Sequence, residues 1–279
     1  MKTEEHKLIE KSQKGDIHAF QALFSDFHDQ LKSYLYRLLA NRADAEDISH
    51  DTFIRAFDKI SSFKGDSSLK TWVFQIATNL AYNELKKRKR WTLDVAQQAK
   101  SLVMNSPKLQ ENIGRTAQSS PYGRYEIKEH IDTCFTCISK TLPIENQLAL
   151  ILKDIYDFSV KEIMLILDKS EGTVKYLIQN ARGTLSEVFE KRCALVNKEG
   201  ACHQCSELNG WFNPKLNQQE AKMNLKMSRA STKYNREQLY ELRKELVKNI
   251  DPLRSGGNEL QEVLMHCNLM AMGEMNPPV

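Results

Sequence analysis

Apolar side chains recur at steps of three and four residues along most of this chain, and that spacing places them on one face of an α-helix. The clearest stripe begins at Ile17 and runs to Leu38, with Asp16 placed to cap the helix. No run of alternating apolar and polar residues is long enough to predict a sheet. The spacing therefore restricts the chain to an all-α fold.

Residues 1–96 are predicted to form one helical domain. After the helix that carries the stripe, a second helix opens with Asp44 as its N-cap residue, and a third opens at Ser67 or Ser68. The turn-forming segment 61–68 separates the second helix from the third. Each helix places its apolar residues on one face, so the three can enclose a common core.

The composition changes near residue 97 and divides the rest of the chain. Residues 97–125 hold scattered Ser, Asn, Gln, Pro and Gly and are predicted to form a flexible linker. Helical spacing resumes in a second domain, 126–190, and returns in a C-terminal extension, 191–279. We therefore expect two helical domains joined by a flexible linker, followed by a helical extension.

The most specific stretch of the second domain is FSVKEIMLILDKSEGTVKYLIQNARGTL, residues 158–185. Ser159 and Glu162 match a capping box, and a longer helix follows Ser170 after a tight turn at 168–169. Two helices joined in this way describe a helix-turn-helix, whose second helix reads bases in a major groove. A plain helical hairpin is the alternative.

Charge and hydropathy narrow the classes of protein. A net charge of +4 is too small to mark the whole chain as a nucleic-acid binder, so local clusters matter more than the total. No apolar stretch reaches the ~18 residues of a membrane span, and the N-terminal segment lacks the apolar core of a signal peptide. We expect a cytoplasmic protein that does not contact a membrane.

One local cluster lies at the end of the third predicted helix. Five basic residues run without a break from Lys86 to Arg90, and Trp91 follows them. A run of this kind is either a solvated helix end or a contact surface for a polyanion.

Together these motifs resemble a bacterial RNA polymerase sigma factor of the extracytoplasmic-function (ECF) class. In the first domain the resemblance rests on KGDIHAFQALFSDF, DAEDISHDTFIRAF and FKGDSSLKTWVFQIATNLAYNELKKRKR. In the second it rests on LPIENQLALILKDIYDFSVKEIMLILDKSEGTVK and the Ala181-Arg182 pair. The resemblance covers about residues 1–190. It implies a subunit, not an enzyme, that binds core RNA polymerase and directs transcription initiation at promoter DNA.

The resemblance also assigns roles to the surfaces of the first domain. Its acidic helix would dock on the clamp helices of the polymerase beta-prime subunit, where complementary charge orients docking, through Asp44, Glu46, Asp47 and Asp51. A capped, solvated acidic turn is the alternative.

The loop and third helix would bind and open the minus-ten element with aromatic, amide and basic side chains, namely Phe63, Lys64, Lys70, Trp72, Gln75 and Asn79. Core packing is the alternative for the tryptophan. The basic run would contact phosphates, which position DNA without reading it, through Lys86, Lys87, Arg88, Lys89 and Arg90.

The second domain would bind the minus-thirty-five element through the second helix of its helix-turn-helix. The residues on or near its exposed face are Glu171, Thr173, Lys175, Tyr176, Gln179, Asn180 and Arg182. They include fewer basic residues than the family commonly places there, so weak binding or help from another surface is expected. A helix-turn-helix regulator that needs no polymerase is the rival function, and the first-domain motifs disfavour it. Whether an anti-sigma protein is a further partner stays open.

The six cysteines are too sparse for a secreted disulfide scaffold. Two CxxC pairs suit a tetrahedral zinc site, and the candidate ligands are Cys134, Cys137, Cys193, Cys202 and Cys205. A thiol switch and buried reduced thiols are the alternatives to zinc. A thiol oxidoreductase is disfavoured because no βαβ pattern surrounds either pair.

The extension carries two apolar stripes, each of which must pack on the chain's own domains or on a partner. One is marked by Leu239, Leu242, Leu246 and Ile250, and the other by Leu260, Val263, Leu264 and Cys267. We expect the extension to regulate the sigma-like core by packing on the helix-turn-helix domain through the cysteine segment. Constitutive scaffolding with inert cysteines is the alternative.

Overall fold

The computed structural model describes residues 2–119, 127–193, 204–212, 235–254 and 258–276, and no β-strand occurs within these ranges. This confirms the predicted all-α class. The helices are α1 (Lys2–Gln13), α2 (Ile17–Leu39), α3 (Arg42–Lys59), a 3-10 turn (Ile60–Ser62), α4 (Leu69–Lys87), α5 (Val95–Met104), α6 (Pro107–Ser119), α7 (Ile127–Ser139), α8 (Ile144–Asp154), α9 (Val160–Leu167), α10 (Glu171–Arg192), α11 (Gln204–Phe212), α12 (Arg236–Lys248) and α13 (Asn258–Ala271).

The chain divides into two compact units that differ from the predicted domains. The first unit combines Met1–Arg88 with Leu148–Ile178, and the second combines Lys89–Gln147 with Gln179–Val279. Most of the helix-turn-helix segment therefore belongs to the same unit as the N-terminal helices. The expected division at residues 96 and 190 follows composition, whereas the observed one follows contacts between distant parts of the chain.

The first unit has an aromatic core built on the predicted stripe of α2. Phe20 is fully buried, and its ring centroid lies 5.3 Å from that of Phe53 and 5.5 Å from that of Phe57 on α3. Asp16 caps α2 as expected, because its carboxylate accepts hydrogen bonds from two backbone N–H groups of the first turn. Ile17, the first residue of the stripe, is 45% exposed and lies outside the core.

The expected N-cap of α3 is wrong by three residues. Asn41 has an extended backbone, and its side chain accepts a hydrogen bond from the N–H of Asp44. Asp44 is therefore inside the first turn, where a carboxylate near the positive helix end is stabilising. At the next helix Ser68, one of the two expected residues, is the N-cap and accepts from the N–H of Thr71.

The expectation of a flexible linker at 97–125 is corrected by two helices. Within that segment α5 and α6 bury Ala99, Val103, Leu109 and Ile113. These residues fall at steps of four within each helix, so one face of each helix is apolar despite the polar composition. Residues 120–126 lie outside the described ranges.

The extension supplies part of the core of the second unit. Leu260 and Cys267 of α13 are buried in one apolar cluster with residues of α5, α6 and α7, and Leu242 and Leu246 of α12 pack against it. The predicted stripes thus pack on the chain's own helices. Removal of the extension would expose this apolar cluster to water, so truncation after Arg192 tests stability as well as the expected regulation. The regulatory role itself stays a prediction.

Candidate nucleic-acid and polymerase interfaces

The acidic face of α3 separates into paired and unpaired carboxylates. Asp44 Oδ2 lies 2.8 Å from Arg88 Nη2, and Glu46 Oε1 lies 3.5 Å from the ammonium of Lys32. Asp47 and Asp51 are exposed on the same helix. Neither takes part in an ion pair within the described ranges. These two carboxylates are therefore available to a basic partner, while Asp44 holds α3 to the end of α4.

The expected minus-ten surface contains one buried residue and several accessible ones. Phe63 is 8% exposed, and its ring centroid lies 5.3 Å from that of half-buried Trp72. Lys64 and Asn79 are exposed, and Gln75 is half-buried. The aromatic pair therefore supports the loop before α4, and the accessible polar groups are the lysine and the two amides.

Helix α4 contacts the first helix of the helix-turn-helix inside the first unit. The hydroxyl of Thr71 donates a 3.1 Å hydrogen bond to Oε1 of Glu162 on α9. The ammonium of Lys70 lies 5.0 Å from the ring centroid of Phe158 and 5.8 Å from that of Phe74. Burial lowers the pKa of Lys70, and the charge of Glu162 opposes that effect. Lys70, a predicted DNA contact, thus lies in this contact between helices.

The basic side chains at the end of α4 differ in how far they are engaged. Arg88 is held by Glu84 at 2.9 Å in addition to Asp44. Lys87 pairs with Glu84 at 3.0 Å but keeps 72% of its side chain exposed, and exposed pairs of this kind are weak. Lys86 is exposed, with its ammonium 5.1 Å from the ring centroid of Tyr82. Lys86 and Lys87 can therefore reach a polyanion, whereas Arg88 is committed to its carboxylates.

The remaining members of the basic run belong to the second unit. Lys89 is exposed. Arg90 Nη2 donates to Oε1 of Gln147 at 2.6 Å and to the backbone carbonyl of Ser139 at 3.3 Å. Burial lowers the pKa of Arg90 to about 10, an effect that the charge of Glu274 opposes. Arg90 is thus a structural residue in this arrangement, and Lys89 is the accessible cation.

Trp91 follows the run and anchors the last described segment of the chain. Its indole N–H donates to Oε1 of Glu274, and the other carboxylate oxygen lies 3.3 Å from the ammonium of Lys140. That ammonium also lies 4.5 Å from the centroid of the Trp91 ring. The side chains of Lys140 and Glu274 are 2% and 6% exposed, so this is a buried ion pair.

The helix-turn-helix has the predicted local geometry. Ser159 and Glu162 form both hydrogen bonds of the capping box. Asp168 ends α9 in the left-handed conformation, with φ at 51°. Ser170 then accepts from the N–H of Thr173 at the start of α10. Two capped helices separated by three residues are therefore present as expected.

The exposed face of α10 displays the predicted reading residues. Tyr176 is 64% exposed, whereas Val174, two residues before it, is fully buried. Lys175 forms a 2.7 Å ion pair with Glu171, and both side chains remain mostly exposed. The exposed members of the predicted set are Glu171, Thr173, Lys175, Tyr176, Gln179 and Asn180, and Arg182 is half-buried.

Four of the five predicted zinc ligands line a single cavity in the second unit. They are Cys134, Cys137, Cys193 and Cys205, and no disulfide joins them. Cys202 lies outside the described residues. Within the described ranges no three His, Cys, Asp or Glu side chains are grouped as a metal site requires. Zinc therefore stays a prediction.

Two buried arginines were not anticipated from the sequence. Arg37 is 1% exposed and donates to Ser33 and to the hydroxyl of Tyr156. Arg243 is 2% exposed and stacks its guanidinium 3.6 Å from the ring centroid of Phe189. Arginine is ordinarily an exposed residue. In the sequence, the only sign of burial for Arg37 and Arg243 is that each falls on the same helical face as buried apolar residues.

Two family models match the chain, one over the segment with the acidic and basic surfaces and one over the segment with the helix-turn-helix. The model for sigma-70 region 2 matches residues 23–91, and that for sigma-70 region 4 matches residues 133–185. The first includes the acidic helix, α4 and the basic run. The second includes the helix-turn-helix. No described helix has the length and apolar character needed to cross a bilayer.

Curated relatives match over about two thirds of the chain. The ECF RNA polymerase sigma factor SigW of Bacillus subtilis is 33% identical over 181 residues, which are 64% of this chain and 93% of that protein. The ECF RNA polymerase sigma-E factor of Escherichia coli K12 is 30% identical over 194 residues, 68% of this chain and 92% of that protein. The RNA polymerase sigma-H factor of Pseudomonas aeruginosa is 24% identical over 187 residues, 67% of this chain and 94% of that protein. The chain therefore belongs to the ECF sigma factors, the promoter-directing subunits of bacterial RNA polymerase.

Proposed function

We propose that this sigma factor acts in the cytoplasm as a binding subunit without catalysis of its own. We also propose that each of three exposed surfaces binds one partner. The observation that carries the proposal is the separation of accessible from engaged charges along residues 23–91, the segment that matches sigma-70 region 2. The accessible charges mark the contacts with partners, and the engaged charges hold the fold.

The first surface is the docking site for core polymerase. Asp47 and Asp51 are exposed carboxylates on one helix, and they would face basic side chains of the beta-prime clamp helices. Charge of this kind steers and orients an encounter more than it adds affinity. Asp44 and Glu46 are also on this face. The ion pair with Arg88 gives Asp44 a structural task, whereas Glu46 is 49% exposed and can exchange Lys32, 3.5 Å away, for a partner's cation.

The second surface is the minus-ten site on α4. Asn79 and Lys64 are exposed and Gln75 is half-buried, and such groups bind unstacked bases and the adjoining backbone. Lys86 and Lys87 continue this surface along the phosphates, and Lys89 is a further exposed cation of the basic run, in the second unit. Arg88 and Arg90 are excluded from this refined set because their guanidinium groups are already bound to protein oxygens.

The third surface is the minus-thirty-five site on α10. Tyr176 and Lys175 are exposed near the start of the helix that follows the turn, where a recognition helix contacts base edges. Lys175 can exchange its exposed partner Glu171 for a phosphate, because surface ion pairs contribute little.

Transcription in vitro with purified core polymerase and a genomic promoter library tests the function. We expect defined start sites that depend on this chain, and their upstream sequences would identify both elements. A polymerase-independent regulator would bind its sites without core polymerase and would leave transcription by core enzyme alone unaffected.

A pull-down with core polymerase separates the two functions directly. Capture from cell extract with the same protein tests whether an anti-sigma protein exists.

A further inference from the structure

An apolar cavity of the second unit lies among elements that neither family model covers. The buried side chains that line it are Ala99 and Val103 of α5, Ile113 of α6 and Cys267 of α13. Helix α11 contributes Leu208 to the lining. These residues fall between the two matched segments or beyond the second one. The functions that the family shares therefore do not account for this cavity.

Four exposed side chains mark the mouth of the cavity. Trp211 is 56% exposed and Met104 is 53% exposed. Lys100 and Glu207 form a 2.9 Å ion pair, and about half of each side chain is exposed. All four line the cavity, so it opens to solvent between them. Large apolar side chains left exposed beside an apolar cavity are typical of a ligand site.

The size of the cavity selects the shape of its ligand. Its volume is about 60 Å³, which is several times the ~10–15 Å³ that one water needs but well below the ~150 Å³ of a cavity that encloses benzene. A single hydrocarbon chain can enter such a space end first, whereas a ring cannot be enclosed in it. Each methylene group that leaves water for the apolar lining favours binding. Met104 and Trp211 can cover the carbon atoms nearest the mouth.

The ion pair at the mouth selects the head group of that chain. A carboxylate head would be attracted by Lys100 but repelled by Glu207, and an ammonium head would meet the reverse pair of forces. An uncharged hydroxyl can accept a hydrogen bond from the ammonium of Lys100 and donate one to the carboxylate of Glu207. Such a head group leaves the ion pair intact and is therefore favoured over either charged one.

We propose that this cavity binds a small uncharged amphiphile with one unbranched hydrocarbon chain and a hydroxyl head group. The chain lies against α5, α6, α11 and α13, and the head group lies at Lys100 and Glu207. The bound chain adds apolar contacts between α5 and α6 and the helices of the extension, which already share one buried cluster. The proposal is independent of the proposed function, because none of these residues belongs to the three exposed surfaces assigned above.

Isothermal titration calorimetry of the full-length protein with n-octanol, below its solubility limit, tests the site. We expect saturable binding at one site per chain, and an unfolding midpoint that rises with the n-octanol concentration. Toluene tests the shape of the ligand, and octanoate and octylammonium test its head group. Each of these three should bind at least ~threefold more weakly than n-octanol.

Four variants locate the ligand. Ala99→Leu fills the cavity and should weaken n-octanol binding at least ~tenfold, whereas Ser101→Leu adds the same side chain at an exposed position of α5 and should leave it unchanged. Trp211→Ala removes one side of the mouth at an exposed position and should also weaken binding. Glu207→Gln keeps an acceptor but removes the negative charge, so it should raise the affinity for octanoate and leave that for n-octanol within ~twofold. Circular dichroism and the unfolding midpoint verify the fold of each variant.

Three results would overturn the proposal. One is the absence of saturable n-octanol binding up to the solubility limit. Another is an affinity for toluene, octanoate or octylammonium that equals or exceeds that for n-octanol, because the ligand class would then be wrong. The third is unchanged n-octanol binding in both Ala99→Leu and Trp211→Ala, which would place the ligand elsewhere. If Ala99→Leu does not fold, Trp211→Ala alone decides the location, because its side chain lies at the exposed mouth.

Discussion

Thr71 on the helix assigned to the minus-ten element donates a 3.1 Å hydrogen bond to Glu162 on the first helix of the helix-turn-helix. The minus-thirty-five and minus-ten elements are, as their names state, about 25 base pairs apart. That separation is ~85 Å of B-form DNA at ~3.4 Å per step. Helices in direct contact cannot occupy both elements at once. If the two helices bind the promoter elements as proposed, this contact has to open before both elements are bound.

Opening of this contact is the first prediction. Fluorophores introduced as non-canonical amino acids at exposed Glu10 and Leu165 would report on the two parts of the first unit. We expect strong energy transfer in the isolated protein and a large drop when core polymerase and promoter DNA are added. A second pair at Glu10 and Asp58, both within residues 1–88, should keep its transfer. Transfer between Glu10 and Leu165 that persists in the promoter complex would contradict the proposed opening.

The second prediction concerns the basic run. Replacing Lys86, Lys87 and Lys89 with Ala should weaken promoter binding on all sequences and reduce the salt slope by ~0.9 for each duplex phosphate that the variant no longer binds. The measurement is promoter affinity of the holoenzyme across a series of salt concentrations. Arg88→Ala is the matched control, because its guanidinium is engaged by Asp44 and Glu84.

The control separates a structural role from a DNA-binding role. Arg88→Ala should lower the unfolding midpoint while it leaves the salt slope nearly unchanged. The opposite pattern is a reduced slope for Arg88→Ala and an unchanged slope for the triple lysine variant. It would mean that Arg88 contacts DNA phosphates and that the three lysines do not.

The third prediction concerns docking on core polymerase. Reversal of Asp47 and Asp51 to Lys should weaken core binding most strongly at low salt, because exposed charges act over about a Debye length. The fold should persist, since both side chains are exposed and outside ion pairs in the described ranges. Reversal of Glu10 and Asp26, which are also exposed, changes net charge equally and should have a smaller effect. Equal losses for the two double variants would mean that net charge, not this face, governs binding.

Local sequence rules predicted the helices and their caps better than the contacts between them. Asp16, Ser68 and the Ser159–Glu162 capping box act as expected because a cap depends on residues within one turn. Sequence rules do not predict α5, because the polar composition of residues 97–125 masks the four-residue step from Ala99 to Val103. The contact between α4 and α9 joins residues 91 positions apart, and no local pattern specifies it.

The choice of the buried face on α12 shows the same limit. Leu239, Leu242 and Leu246 are spaced like a core stripe, yet the most buried face is that of Tyr240, Arg243 and Val247. Both sets follow the helical period, so periodicity alone cannot select between them. The ring of Phe189 selects Arg243 by offering its face to the guanidinium, and that partner is visible only in three dimensions.

The last prediction concerns the buried pair of Lys140 and Glu274. Glu274→Ala removes the partner of an ammonium that is 2% exposed and also the acceptor of the Trp91 indole N–H. Breaking one side of a buried pair costs ~3–5 kcal/mol, so we expect a loss of that order in urea unfolding followed by tryptophan fluorescence. Glu259→Ala, at an exposed position on α13, should change stability by less than ~0.5 kcal/mol. Joint replacement of Lys140 and Glu274 by Met should recover much of the loss, because it removes both charges together. A similar stability for Glu274→Ala and Glu259→Ala would show that the end of the chain does not hold the second unit together.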